Sequence, residues 1–131
     1  MSNNIPADLR YTKSHEWLRQ HADGTLEMGI TDHAQHALGD LMFVEEPAAD
    51  RTLAAGDACA VVESVKAASD VYAPIACTVV EGNPALEGQP ELINTDPYTA
   101  GWIAKVRAAN AADLAGLMDA AAYEAYLAAE T

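Results

Sequence analysis

Ala60-Val61-Val62-Glu63-Ser64-Val65-Lys66-Ala67-Ala68-Ser69-Asp70-Val71-Tyr72-Ala73-Pro74 reads as two strands and the link between them. Residues 59–64 and 69–72 carry the β-branched and aromatic residues that suit a pleated, half-buried surface. Pro74 ends the second run, because it has no N–H to give to a ladder. Residues 65–68 form the connection, so Lys66 should project into solvent. The tip lacks the Asn-Gly or Gly-x pair of two-residue hairpins, and its turn type stays open.

Working outward, short strand-like runs recur on both sides. Residues 9–30 read as a hairpin around Asp23-Gly24, with Leu26, Met28 and Ile30 alternating after the turn. Thr31 or Asp32 can cap a short helix that Gly39 closes after Leu38. Further strands are expected at 41–44, 78–81 and 102–106, with breaks at Pro47, Ala55-Gly56-Asp57 and Gly82-Asn83-Pro84. From Asn110 onward the spacing turns helical: Leu114, Leu117 and Met118, then Tyr123, Tyr126 and Leu127. Asn110 and Asp119 are candidate N-caps for two helices, whose apolar stripe should pack on the β core. The fold class is therefore mainly β: a β-sandwich or flattened barrel with one short helix in the N-terminal half and C-terminal helices.

The 131 residues point to a single domain over 1–131. Its β core is expected at about 25–107, and its C-terminal helical segment at 110–129. Seven basic residues against twenty acidic ones give a formal charge of −13, which argues against a phosphate-backbone partner and an anionic membrane surface. So much acid favours solubility, and it can also steer the chain toward basic patches on other proteins. Few aromatic residues are present, so Trp17, Phe43, Trp102 and the tyrosines should dominate packing. Cys59 and Cys77 form no C-x-x-C and read as buried thiols in a reducing compartment. No secretory or organelle signal and no membrane-length apolar run is visible, so a soluble, cytoplasmic protein is expected.

Lysine is scarce: the chain has only Lys13, Lys66 and Lys105. A lysine on a rigid hairpin suits an amide-linked swinging arm, since the hairpin fixes the anchor and the four-carbon stem adds reach. An ordinary exposed turn lysine has the same local pattern. Three enzyme readings are weaker. His33 and His36, near Asp32, offer a metal only one short helix. His15-Glu16 lacks the H-E-x-x-H continuation. Ser64 and Lys66 would need a buried lysine to act as a Ser–Lys pair, and a hairpin tip does not bury one.

Several blocks in order resolve the ambiguity. Glu63-Ser64-Val65-Lys66-Ala67-Ala68-Ser69-Asp70 resembles the lipoylation motif of glycine cleavage system H proteins. Tyr11-Thr12-Lys13-Ser14-His15-Glu16-Trp17 resembles the family's opening motif. Gly29 to Gln35, Leu38-Gly39-Asp40 and Phe43-Val44-Glu45 resemble the next blocks. Gln89-Pro90-Glu91-Leu92-Ile93-Asn94, Asp96-Pro97-Tyr98 and Gly101-Trp102 resemble a late one. The resemblance thus spans nearly the whole chain. Val65 and Ala67 beside the lysine are unlike the methionines that flank a biotinyl-lysine.

The resemblance implies a lipoyl-domain-like β-sandwich with lipoate joined as an amide to Lys66. It implies a non-catalytic carrier that three enzymes share. A pyridoxal-phosphate glycine decarboxylase (P protein) loads an aminomethyl group, a tetrahydrofolate-dependent aminomethyltransferase (T protein) removes it, and dihydrolipoyl dehydrogenase (L protein) reoxidises the dithiol. Ser14, Glu16 and Asp70 are the implied cleft residues for the loaded arm, and Glu63 the implied recognition residue for the lipoate-attaching enzyme. A monomer is expected, with no metal. The rival with the same modification is a relay that donates lipoate to 2-oxoacid dehydrogenase subunits; the rival without it is an unmodified interaction protein. Cys77 departs from the glycine common after the proline, which implies a different turn or local strain and leaves a mixed disulfide with lipoate conceivable. Glu46 replaces a residue that is usually apolar and reads as a tolerated edge position.

Overall fold

Two antiparallel sheets enclose the core in the computed structural model, which describes residues 5–130. The expected domain over 1–131 falls at its ends on residues 1–4 and 131, outside the described residues. In chain order the elements are β1 (Arg10–Tyr11), β2 (Glu16–Gln20), β3 (Thr25–Ile30), α1 (Asp32–Leu38), β4 (Leu41–Glu45), β5 (Thr52–Leu53), β6 (Ala58–Ser64), β7 (Ala68–Tyr72), β8 (Cys77–Gly82), α2 (Ala85–Gly88), α3 (Leu92–Thr95), β9 (Ala104–Ala108), a 3₁₀ turn (Ala111–Gly116) and α4 (Ala120–Glu130). One sheet runs β1-β2-β3-β9-β8-β5 and the other β4-β6-β7.

The core lies between the sheets because alternate residues of both point inward. Leu26, Met28 and Ile30 of β3, with Val79 and Val106, meet Leu41, Val44, Val62 and Val71 from the other sheet. A second cluster covers the opposite side of β1 and β2: Tyr11, Trp17, Tyr98, Tyr123 and Leu127 are buried together. Trp17 faces Gly29 across the β2–β3 ladder, and a β-carbon on Gly29 would stand 2.9 Å from the indole. The indole N–H donates to Ile30 O and Pro97 O, each at 3.0 Å.

The caps follow the sequence. Thr31 Oγ1 accepts the Ala34 N–H, and Gly39 closes α1 at φ +83°. Asp119 Oδ1 caps α4 through the Ala122 N–H at 2.8 Å. Asn110 caps a 3₁₀ turn rather than a full α-helix. The expected stripe on α4 is a packing face, with Tyr123 and Leu127 buried against the second cluster.

Two further expectations need correcting. The last strand lies at Ala104–Ala108, two residues beyond the expected 102–106. Phe43 is 53% exposed, because the β4–β6 register shifts between Leu41 and Phe43 and turns Met42 and Phe43 both outward. Glu46 directly follows the edge strand β4, and it packs on Gly82, where a β-carbon would stand 2.8 Å from its own Cβ.

Candidate functional site

Lys66 stands exposed on the β6–β7 hairpin, as its place between two strand-like runs demands. Ser64 supplies the turn chemistry that the missing glycine would have given. Its hydroxyl accepts the N–H of Lys66 (3.1 Å) and of Ala67 (3.2 Å), and its own N–H donates to Ala67 O at 2.9 Å. Val65 N–H donates to Asp40 O, tying the tip to the segment after α1. Below that tie, the side chain of Asn94 accepts the Leu41 N–H (2.9 Å) and donates to Gly39 O (2.9 Å) and Gln35 Oε1 (3.0 Å). The late block around Asn94 therefore braces the ground on which Lys66 lies.

The structure brings Ser14 and Glu16 together. Glu16 is buried at the start of β2, and its Oε1 accepts the hydroxyls of Thr12 and Ser14, both at 2.6 Å. Its Oε2 accepts the Tyr72 N–H at 3.2 Å, so one carboxylate joins the two sheets at this corner. Thr12 also accepts the Glu16 N–H at 3.0 Å. A cavity of about 380 Å³, open to solvent, lies between Thr12, Ser14 and Glu16 on one side and Tyr72, Ala73 and Pro74 on the other.

Asp70 does not line that cavity. It lies on β7 four residues after Lys66 and two before Tyr72, exposed on the same outward side as Tyr72. The outer side of β7 thus leads from the lysine past Asp70 to the cavity rim. Glu63 is exposed on β6, opposite Ala68 and Phe43.

The sequence pattern did not single out Thr12, Asn94 or Tyr123 as site residues. Thr12 shares the opening motif with Ser14, and its spacing of four from Glu16 was the available signal. Asn94 and Tyr123 gave none, since their partners lie far along the chain.

Cys77 causes no strain. It is the buried first residue of β8, paired with Leu53 and Ala108, and among the described non-glycine residues only His15 and Asp50 have positive φ. Burial raises its thiol pKa, and burial pushes Cys59 up to about 12. Both thiols are free of disulfides and buried in the core. His33 packs on the ring of His15, while His36 is exposed at the end of α1. Among the described residues no three or more His, Cys, Asp or Glu gather as a metal would need, and no helix is long and apolar enough to cross a membrane.

Residues 9–130 match the family model described as Glycine cleavage H-protein. Glycine cleavage system H proteins of Enterobacter sp. (strain 638) and Escherichia coli O7:K1 are 58% and 56% identical to the chain over 125 residues, covering 95% of it and 97% of each of them. A crystal structure of a glycine cleavage system H protein from Mycobacterium marinum aligns with a TM-score of 0.83 at 40% identity, over 96% of this chain and 98% of that one.

Proposed function

Because this chain belongs to the glycine cleavage H-protein family, we propose that it is the lipoyl carrier of that system and that Lys66 holds lipoate as an amide. The observation that carries this reading is the position of Lys66: exposed on a braced hairpin, at the head of a strand that runs to the Ser14–Glu16 cavity. A lipoyl-lysine extends about 15 Å from its Cα, counting some twelve bonds at backbone-like dimensions. Four to five residues of strand span about the same distance. An arm laid along β7 therefore reaches Asp70 and Val71, at the approach to the cavity rim at Tyr72.

Lipoate supplies a disulfide that accepts the aminomethyl group of glycine as cargo. The chain's own residues do the rest. Three donors hold the Glu16 carboxylate in place, and Oε2 keeps capacity for one more. An ammonium at the cavity would find that oxygen and the Ser14 hydroxyl, with Asp70 adding negative charge along its path. Ala73 and Pro74 give the cavity an apolar wall against which the arm can lie. Glu63, exposed three residues before the lysine, suits recognition by the lipoate-attaching enzyme.

In this reading the whole chain, 1–131, is one domain with its lipoyl-bearing β core at about 25–107 and its helical segment at 110–129. It is a monomeric cytoplasmic carrier that catalyses no step itself. Glycine decarboxylase, aminomethyltransferase and dihydrolipoyl dehydrogenase act on it in turn, and the charge of −13 favours basic surfaces around their entrances.

Intact-mass measurement of protein produced with lipoate should show one lipoyl amide, lost in Lys66→Arg. An undiminished mass increment in that variant would overturn the attachment site. Reconstituted glycine–bicarbonate exchange with the decarboxylase separates a glycine carrier from a lipoate relay. Glu16→Ala and Asp70→Ala should accept lipoate normally but lose their aminomethyl cargo to water faster. An unchanged rate of loss in both would sink the cleft assignment.

A further inference from the structure

The chain builds one tight turn twice, in neighbouring hairpins. At residues 21–25, His21 N–H donates to Thr25 O (2.9 Å) and Gly24 N–H to His21 O (3.1 Å), with Gly24 at φ +90°. At residues 12–16, Thr12 N–H donates to Glu16 O (3.0 Å) and His15 N–H to Thr12 O (3.1 Å), with His15 at φ +71°. Glycine takes the left-handed position without strain, whereas a β-carbon there crowds the following carbonyl. Glycine would serve the turn at 15 as it does at 24. Histidine must stand there for what its ring does.

That ring is held from the far end of the chain. Its Nδ1 lies 2.9 Å from the hydroxyl of Tyr123 on α4, and it packs against His33 and Tyr126. Tyr123 is itself fully buried: its hydroxyl bonds Thr31 Oγ1 at 2.8 Å, and its ring stacks on Tyr11 at 4.6 Å. The His15 carbonyl accepts the Thr31 N–H at 3.0 Å. Residue 15 is thus fixed by side chain and backbone together. The residues on either side of it, Ser14 and Glu16, are the pair that meets at the cavity.

We propose that Tyr123 is a positioning residue for the Ser14–Glu16 pair, acting through the ring of His15. Its hydroxyl holds the left-handed turn in the one orientation that aims Glu16 at both the Tyr72 N–H and the cavity. The proposal rests on the reading of that cavity as the seat of the arm's cargo. It gives α4 a task beyond covering β1 and β2.

The Tyr72 amide, bonded to Glu16 Oε2, reports this alignment in protein without lipoate. In unmodified protein, Tyr123→Phe and His15→Gly should speed hydrogen exchange at Tyr72 by about three- to tenfold, the range set by one neutral hydrogen bond. The Val79 and Val106 amides in the larger sheet should stay unchanged. His15→Gly keeps the turn, as Gly24 shows, so lost folding does not confuse the result. In a Glu16→Ala background exchange at Tyr72 is already fast, and adding Tyr123→Phe should change it no further. An unchanged Tyr72 amide in Tyr123→Phe overturns the proposal, as does an equal rise at Val79 and Val106 or a full additive rise on Glu16→Ala. In loaded protein, Tyr123→Phe should hasten loss of the aminomethyl cargo, though no more than Glu16→Ala does. If Tyr72 responds while neither variant shortens cargo lifetime, the positional link stands and the cavity reading falls.

Discussion

Lys66 lies across Gly39: the lysine Cε stands 3.5 Å from the point a β-carbon on residue 39 would occupy. Gly39 ends α1 at φ +83° and ψ −162°, a region that residues with a β-carbon scarcely enter. The contact distance is ordinary, so space is not the obstacle to a side chain here; the backbone is. Gly39→Ala should cost about 1–3 kcal/mol, visible as a drop of several degrees in Tm. It should also slow lipoyl attachment, because residues 39–41 support the hairpin tip. A variant with unchanged Tm and unchanged attachment would show that the glycine conformation is dispensable.

Much of this was legible in the sequence, for identifiable reasons. The β6–β7 hairpin, α1 and α4 rest on local signals: alternation, a Thr31 cap, a Gly39 stop and an Asp119 cap. Ser14 and Glu16 were legible because they are two residues apart in one motif. The hairpin tip was harder, since Ser64 performs through its hydroxyl what a glycine performs through its backbone. The exposure of Phe43 follows from a register shift in β4, which alternation does not encode. The same holds for α2 and α3, four residues each, too short for a helical period to show. The links from Asn94 to Leu41 and from Tyr123 to His15 join residues 53 and 108 positions apart, and nothing local encodes them.

The two cysteines should be silent in the folded protein. Both are buried, and burial raises both thiol pKa values, that of Cys59 to about 12. Thiolate is the reactive form, so alkylation at pH 8 should modify neither residue in native protein and both in denaturant. Lipoylated protein should likewise form no mixed disulfide with Cys77. One equivalent of rapid labelling in the folded state would contradict the buried placement.

Glu46 should weaken the fold at neutral pH. Its Oε1 is buried with no hydrogen-bond partner among the described residues. Burial, then the nearby Glu87, raises its pKa. The folded state therefore holds the proton more tightly than the unfolded chain. Its stabilising share is complete below the unfolded value of about 4.3 and is lost as pH rises through the raised folded value. Glu46→Leu should gain about 1 kcal/mol at pH 7, the low end for an unsatisfied buried acceptor because the residue is only half-buried. Thermal melts across pH should show that gain shrinking toward pH 4. A gain independent of pH would assign the effect to packing on Gly82 instead of charge.

Asn94 offers the sharpest separation of shape from hydrogen bonding. Its amide is used on both sides, since the oxygen accepts from Leu41 N–H while the nitrogen donates to Gly39 O and Gln35 Oε1. Asn94→Ala leaves a backbone donor and a backbone acceptor without their partner and should cost about 2–4 kcal/mol, from two or more lost bonds. Asn94→Asp keeps the size and the bond from Leu41 N–H, but it turns a carboxylate oxygen toward the Gly39 carbonyl. If Asn94 served by filling space, the aspartate variant would melt close to the wild type. If it serves by joining α3 to the end of α1, aspartate should be at least as harmful as alanine at neutral pH. It should then recover part of its stability in acid, where a protonated carboxyl can donate to Gly39 O again. Lipoyl attachment at Lys66 should follow the same order, because residues 39–41 are the common support of that lysine and of the Val65 N–H bond to Asp40.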